Sequence, residues 1–352
     1  MRILIATDAW HPQVNGVVRT LTMMAEAART LGTEVVFLTP EPFPTVRLPS
    51  YPDLRVAIPN PAKIARLITA AQADCIHIAT EGPIGLMARR YCIKRGLRFT
   101  TSFHTRFPEY ISARAPIPES LVWALLRRFH GASHAVMAAT TALADELRDR
   151  GFNNVVLWPR GVDGELFRPR QGVDLGLPRP VFLSVGRVAV EKNLEAFLAL
   201  DLPGTKVVVG DGPARVTLQR DFPQAVFLGA KQGEALAQVY AAADVFVFPS
   251  QTDTYGLVLL EALASGVPVA AFPVTGPRDV IGDAPVGVLN EDLRQACLGA
   301  LSISRDACLE FAAKHTWVAS ALAFIDNVTR VWLMDPEPML SQDTGKPRSL
   351  VA

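Results

Sequence analysis

Four side chains in the second half of this 352-residue chain have the types and spacing to hold a charged, hydroxyl-rich ligand. Arg187 and Lys192 lie in Ser184-Val-Gly186-Arg187-Val-Ala-Val-Glu-Lys192-Asn193, just after an apolar run over residues 181–185. Gly186 permits a turn there. Arginine forks onto phosphate oxygens and lysine supplies a point charge, so a diphosphate is a natural ligand. The same residues would also serve a solvated loop with helix-capping charges. Asp253 and Glu261, eight residues apart, straddle the turn into a second apolar segment. Asp253 precedes a helix start where the backbone N–H groups of Thr254, Tyr255, Gly256, Leu257 and Val258 would cluster. Glu261 falls about a turn further in, placed to accept from sugar hydroxyls. The plainer roles are a helix cap for Asp253 and a surface carboxylate for Glu261. Against the latter, Glu261 is embedded in the apolar stretch 259–264, where an unpaired carboxylate is costly.

Weaker signals sit in two other turns. Residues 8–20 run from a strand end into a helix start, where free N–H groups and the positive helix pole attract phosphate, and Gly16 would let a ligand approach the backbone. A plain tight turn fits those residues equally. The fingerprint GxGxxG is absent there, which counts against a nicotinamide or flavin dehydrogenase. Gly210-Asp211-Gly212-Pro213 suits a strand-to-helix turn with Pro213 at the first helical position. No DxD motif and no histidine–carboxylate spacing typical of a metal site occurs, so no metal or other cofactor is expected. The cysteines, Cys75, Cys92, Cys297 and Cys308, have no CxxC spacing and read as ordinary half-buried thiols.

These turns need strands and helices to hold them. In the first half, apolar runs at 2–7, 33–38, 74–79, 98–103, 133–138 and 154–158 alternate with helical patterns, among them 19–31, 83–95, 119–130 and 141–150. Nearly continuous apolar strands between helices argue a parallel sheet covered on both faces. Residues 161–180, with four Gly and three Pro, read as an interdomain linker. The alternation then restarts, with strands at 181–185, 206–209, 225–228, 244–248 and 267–272. A long helix follows at 317–334, and 335–352 reads as a mobile tail. The expectation is an α/β chain of two doubly wound domains in tandem, 1–172 and 173–316, with ligands at the carboxyl ends of the strands. The net charge of +1 conceals 21 basic against 14 acidic residues up to Gly172, and 14 against 20 beyond it. Halves so different are expected to meet different partners. No apolar run reaches the roughly 18 residues of a membrane-spanning helix. Residues 3–7 are too short for a signal-peptide core, so a cytoplasmic protein is expected.

Taken together, the motifs resemble those of the GT-B glycosyltransferases of family 4 type, a large retaining group that includes sucrose synthases, bacterial mannosyltransferases and glycolipid synthases. Asn15-Gly16-Val17 is similar to the family's N-terminal glycine loop, and Arg160-Gly161-Val162-Asp163 to its N/R-G-V-D signature. Gly186-Arg187 with Lys192-Asn193 resembles its diphosphate-binding segment. Asp253 through Glu261 resembles its E-x7-E motif, with Asp in place of the first Glu. The resemblance runs to about residue 334. It implies a GT-B fold, two Rossmann-like domains facing a cleft: an acceptor-binding first domain, a donor-binding second domain, and a C-terminal helix crossing back to the first.

The resemblance also implies roles. Arg187 and Lys192 neutralise the donor diphosphate, Glu261 accepts from the ribose, and Asp253 with the backbone of residues 254–258 holds the transferred sugar. Gly16 lets its loop approach the phosphate or sugar, and His104 contacts the sugar near the reacting carbon. The Asp-Thr-Tyr-Gly form looks closest to members that build mannosylated or glycosylated diacylglycerol lipids. The implied activity is a metal-independent, retaining hexosyltransferase using a UDP- or GDP-sugar, with a lipid or glycan acceptor and no nucleic-acid partner. A nucleotide-sugar epimerase lacks support from these motifs. A two-domain binding protein of the periplasmic type is opposed by the Arg187/Lys192 pair and the short N-terminus. The basic first half carries one further expectation. Arg89 and Arg90, with Trp123, Arg127 and Arg128 in a helix mixing Leu, Trp and Phe with arginines, would dock on an anionic membrane surface, placing the protein peripherally on the inner face of the plasma membrane. The plainer alternative is an amphipathic helix packing its apolar face on the sheet.

Overall fold

A computed structural model describes residues 1–11, 15–48, 51–104, 117–252 and 255–333. Each apolar run expected as a strand is one. The first half comprises β1 (Arg2–Ala6), α1 (Gly16–Thr30), β2 (Glu34–Leu38), a hairpin of β3 (Thr45–Leu48) and β4 (Tyr51–Ala57), and α2 (Pro61–Ala71). It continues with β5 (Cys75–Ile78), α3 (Pro83–Arg95), β6 (Thr100–Ser102), α4 (Glu119–His130), β7 (Ala135–Ala138), α5 (Thr141–Asp149) and β8 (Val155–Leu157). Six of these strands form a parallel sheet in the order β2-β1-β5-β6-β7-β8.

The second half repeats the plan. It runs β9 (Val181–Val185), α6 (Leu194–Leu198), β10 (Thr205–Val209), α7 (Arg215–Asp221), β11 (Val226–Phe227), α8 (Gly233–Ala242) and β12 (Val245–Phe248). Then come α9 (Leu257–Ala264), β13 (Val269–Ala271), α10 (Thr275–Ile281), β14 (Gly287–Leu289), α11 (Leu293–Ala300) and α12 (Arg305–Ala312). Its sheet is also parallel, in the order β11-β10-β9-β12-β13-β14. Strand order reverses beside β1 in the first sheet and beside β9 in the second, and crevices open at such switch points.

The final helix, α13 (Trp317–Leu333), crosses back to the first sheet, as expected: Trp317, Ala321, Phe324 and Val328 share a core with Ile3, Ile5 and Trp158. Trp158 donates its indole N–H to Ser320 Oγ at 3.1 Å. Gly161 is required at this crossing, because a Cβ there would lie 2.4 Å from the backbone nitrogen of Trp317. Residues 161–180 are irregular but not loose. Phe167 is buried edge-on to Tyr240 in the core of the second sheet, and Val162 joins the same core.

One expectation is corrected here. Trp123, assigned to a membrane face, is 4% exposed and stacks on Phe103 with ring centroids 5.9 Å apart. Val122, Leu126 and Phe129 are buried with it, so the apolar face of α4 packs on the sheet, the plainer alternative. The reason is spacing: these four fall on one helical stripe, and the sheet lies under it. Arg89 is likewise committed, donating to the carbonyls of Phe129 and Arg128 at the end of α4. Arg127 donates to the Arg150 carbonyl. Arg90 and Arg128 are exposed.

Candidate active site

The two sheets present their carboxyl ends to each other, and side chains join them. Thr140, which caps α5, donates from Oγ1 to Asp279 of α10. Arg19 of α1 pairs with Glu261 of α9 at 2.6 Å. Burial pushes the Tyr255 phenol up to about 12, against the opposing pull of Arg160.

The switch points differ in what fills them. At the end of β1, Asp8 accepts from the N–H groups of Ile84 (2.8 Å) and Gly85 (3.1 Å) and from Thr80 Oγ1 (2.9 Å). The protein's own carboxylate therefore occupies the helix N-terminus that could have taken an anion in the first sheet. Burial raises the Asp8 carboxyl above its ordinary range, opposed by those donors. The glycine loop stands at the start of α1. Its N–H groups at Val17 and Val18 are taken by the Asn15 side chain, each at 3.0 Å, because asparagine is a strong N-cap. Among the described residues, nothing lies within 4 Å of a Cβ built at Gly16.

At the end of β9 no carboxylate fills the corresponding place among the described residues. Gly186 bonds back to the Val209 carbonyl, and residues 190–192 make one 3-10 turn that carries Lys192. Arg187 is 44% exposed, with the Glu191 carboxylate 3.9 Å away. Asn193 closes the turn in the left-handed region at φ 50° and ties it to the Pro249 carbonyl, setting the loop beside the end of β12. The loop after β10 presses on it: a Cβ at Gly210 would sit 1.8 Å from the Gly186 carbonyl oxygen. Pro213 precedes α7, which begins at Arg215, so it does not stand at the first helical position.

Asp253 and Thr254 lie outside the described residues. Beyond them, Gly256 takes φ +83°, a left-handed conformation that turns the chain into α9. No side chain caps that helix start among the described residues, leaving its N-terminus at Leu257 and Val258 turned toward the junction. Leu257 packs against the first domain's core. Glu261 is 2% exposed. One oxygen meets Arg19 and the other accepts from Tyr240 at 2.9 Å, so both are engaged inside the protein. Burial raises its carboxyl, against the opposing pull of Arg19 and Tyr240. Arg19 was not singled out from sequence. A signal existed: a cation in the first turn of a helix opposes the helix dipole and calls for a remote carboxylate.

His104 stands at the end of β6, edge-on to Trp158, with Nε2 2.8 Å from Ser102 Oγ. Burial, then the nearby Arg160, hold its imidazole well below the usual histidine value, so it is neutral. Among the described residues, no group of three or more His, Cys, Asp or Glu could hold a metal ion.

Comparison with known proteins decides the family. The Glycosyltransferase Family 4 profile matches residues 14–166, and that of Glycosyl transferases group 1 matches residues 179–302. The GDP-mannose-dependent alpha-mannosyltransferase of Mycobacterium tuberculosis is 30% identical over 316 residues, covering 82% of this chain and 83% of that protein. The chain is a glycosyltransferase of the family 4 type. The alpha-monoglucosyldiacylglycerol synthase of Streptococcus pneumoniae is 28% identical to this glycosyltransferase over 95% of the chain and 86% of its own length. Among solved structures, sucrose-phosphate synthase from Thermosynechococcus elongatus superposes with a TM-score of 0.77 at 19% identity, covering 94% of the glycosyltransferase and 99% of that chain. The fold is GT-B, as its motifs implied.

Proposed function

We propose that the enzyme transfers a hexose from a UDP- or GDP-sugar to a membrane lipid, such as diacylglycerol or a glycolipid, with retention of anomeric configuration. The observation that carries this reading is the contrast between the switch points: the first is plugged by Asp8, while the second sets Arg187 and Lys192 around a turn. The donor diphosphate lies at that turn, its developing negative charge met by the two cations and by the start of α9, with no divalent ion required. Asp253 and residues 254–258 hold the sugar, and the ribose displaces Arg19 from Glu261. The acceptor approaches from the first domain, past His104.

The relatives' names support an α-linked product and, for one of them, a diacylglycerol-derived one. A lipid acceptor also fits the exposed ridge of α4. There Leu121 and Leu125 are 54% and 59% exposed and lie near Arg128, with Arg90 exposed on α3. This face docks reversibly on anionic lipid, at the cytoplasmic side of the membrane.

The test is a donor screen. Purified enzyme is incubated in EDTA with UDP- and GDP-sugars and with anionic vesicles containing diacylglycerol, and released nucleoside diphosphate is measured. Release that depends on both one donor and the vesicles supports the reading. Release with a soluble glycan alone, and equal sedimentation with neutral and anionic vesicles, would move the acceptor off the membrane.

A further inference from the structure

The cleft contains a buried cation that the diphosphate contacts leave unexplained. Arg160, just after β8, is 4% exposed, and no carboxylate pairs with it among the described residues. One terminal nitrogen donates to the Trp158 carbonyl at 2.7 Å, and the guanidinium carbon lies 4.2 Å over the Trp158 ring. The other terminal nitrogen faces Nδ1 of His104 at 3.5 Å. Burial pushes the guanidinium down to about 10, still charged at neutral pH.

A guanidinium only donates, so the nitrogen it faces must present its lone pair. The His104 proton is then on Nε2 and is donated to Ser102 Oγ at 2.8 Å. The Ser102 hydroxyl in turn donates to Nε2 of His77 at 3.1 Å. His77 keeps its own proton on Nδ1 and donates it to Thr100 Oγ1 at 2.8 Å. The cation fixes the first of these bonds; beyond Ser102, whose hydroxyl also lies 3.5 Å from the Ala79 carbonyl, the direction given is the one the shorter contact favours. Among the described residues, Arg160, His77 and His130 act on His104, and all three oppose its protonation.

We propose that Arg160 is a positioning residue of the transfer site: it fixes which nitrogen of His104 carries the proton and which way the ring is turned. The proposal rests on the reading of His104 as facing the sugar. Tyr255, whose buried phenol feels the Arg160 charge from the second domain, couples this arrangement to the donor side.

The test begins with the ring nitrogens of uniformly 15N-labelled enzyme, His104 being assigned by its loss in His104→Asn. In the unsubstituted enzyme His104 is expected as the Nε2–H tautomer, without protonation as pH falls through about 6.5, the ordinary histidine value. Arg160→Gln, whose amide accepts as well as donates, is expected to bring an Nδ1–H population of His104 into the spectrum and to move the acid side of the pH profile of kcat toward higher pH, burial still holding His104 below about 6.5, with donor KM changed less than about twofold. Arg160→Lys, which keeps a donating cation, is expected to restore the original tautomer and profile. An Nδ1–H tautomer or a His104 titrating near 6.5 in the unsubstituted enzyme would overturn the proposal whether or not the variants fold. So would an Arg160→Gln enzyme whose His104 spectrum and pH profile are unchanged. Because the spectra need no turnover, failure of the transferase reading appears separately, as absence of nucleoside diphosphate release.

Discussion

The Arg19–Glu261 pair gives a prediction whose size follows from the two burials. Glu261's side chain is 3% exposed and Arg19's is 38%, so the two halves of the bridge are not equivalent. Arg19→Met keeps the packing stem but leaves a carboxylate inside the protein with only Tyr240 to support it. Removing one partner of a fully buried pair costs about 3–5 kcal/mol, and the exposure of Arg19 places the expected loss near the lower end, about 3 kcal/mol. Glu261→Gln leaves no buried charge, lets Arg19 turn to water and keeps an acceptor for Tyr240. Its cost is about 1 kcal/mol. The double variant is expected to recover most of the Arg19→Met loss. The pH dependence has a fixed sign. Glu261 is raised in the folded state, and more so without Arg19, so folding favours its protonated form. That contribution is fully present below the unfolded value of about 4.3 and is lost as pH rises through the folded value. The Arg19→Met deficit is therefore largest at neutral pH and shrinks on acidification. Calorimetric melting of the four proteins at two pH values measures all of this. An Arg19→Met deficit no larger than that of Glu261→Gln, or one that grows toward acid pH, would refute the reasoning.

Other predictions rest on separate parts of the molecule. Arg187→Ala and Lys192→Ala are each expected to lower kcat/KM by about 10²–10³, the scale of losing one electrostatic contact to developing charge, with melting temperature unchanged. Near-native turnover in either folded variant removes the diphosphate assignment. Gly210→Ala puts a Cβ against the Gly186 carbonyl, so the loop must move: donor KM should rise and stability fall by about 2 kcal/mol, read by steady-state kinetics and calorimetry. His77, fully buried, is held at about 3 by burial, then by Arg160 and His130. It contributes stability above pH 6.5 that is lost on acidification at roughly 1.4 kcal/mol per pH unit, and His77→Gln should flatten that limb of the melting curve against pH.

What the sequence disclosed was local, and what it withheld was tertiary. All but one of the parallel strands of the two sheets were legible because buried strands read as apolar runs, and helices such as α3 and α4 because their patterns are long. β14 was missed, having only three residues, none of them fully buried. The stretch 161–180 looked loose because glycine and proline dominate its composition, yet Phe167 anchors it. For α4, periodicity gave an apolar stripe but not whether protein or lipid covers it, and Trp123 was placed on the wrong side. Arg187 and Lys192 stood out since both charges and the turn between them are contiguous. The Asp8 plug and the Arg160–His104 contact join residues more than fifty positions apart, and no spacing rule reveals them.

Under the proposed function, this enzyme moves a sugar from a nucleoside diphosphate with its configuration kept. Proton NMR of the anomeric signal, on product formed from an α-configured UDP- or GDP-sugar, tests it most directly. An α-linked product formed in step with released nucleoside diphosphate is expected. A β-linked product, or sugar transfer without nucleotide release, would contradict it.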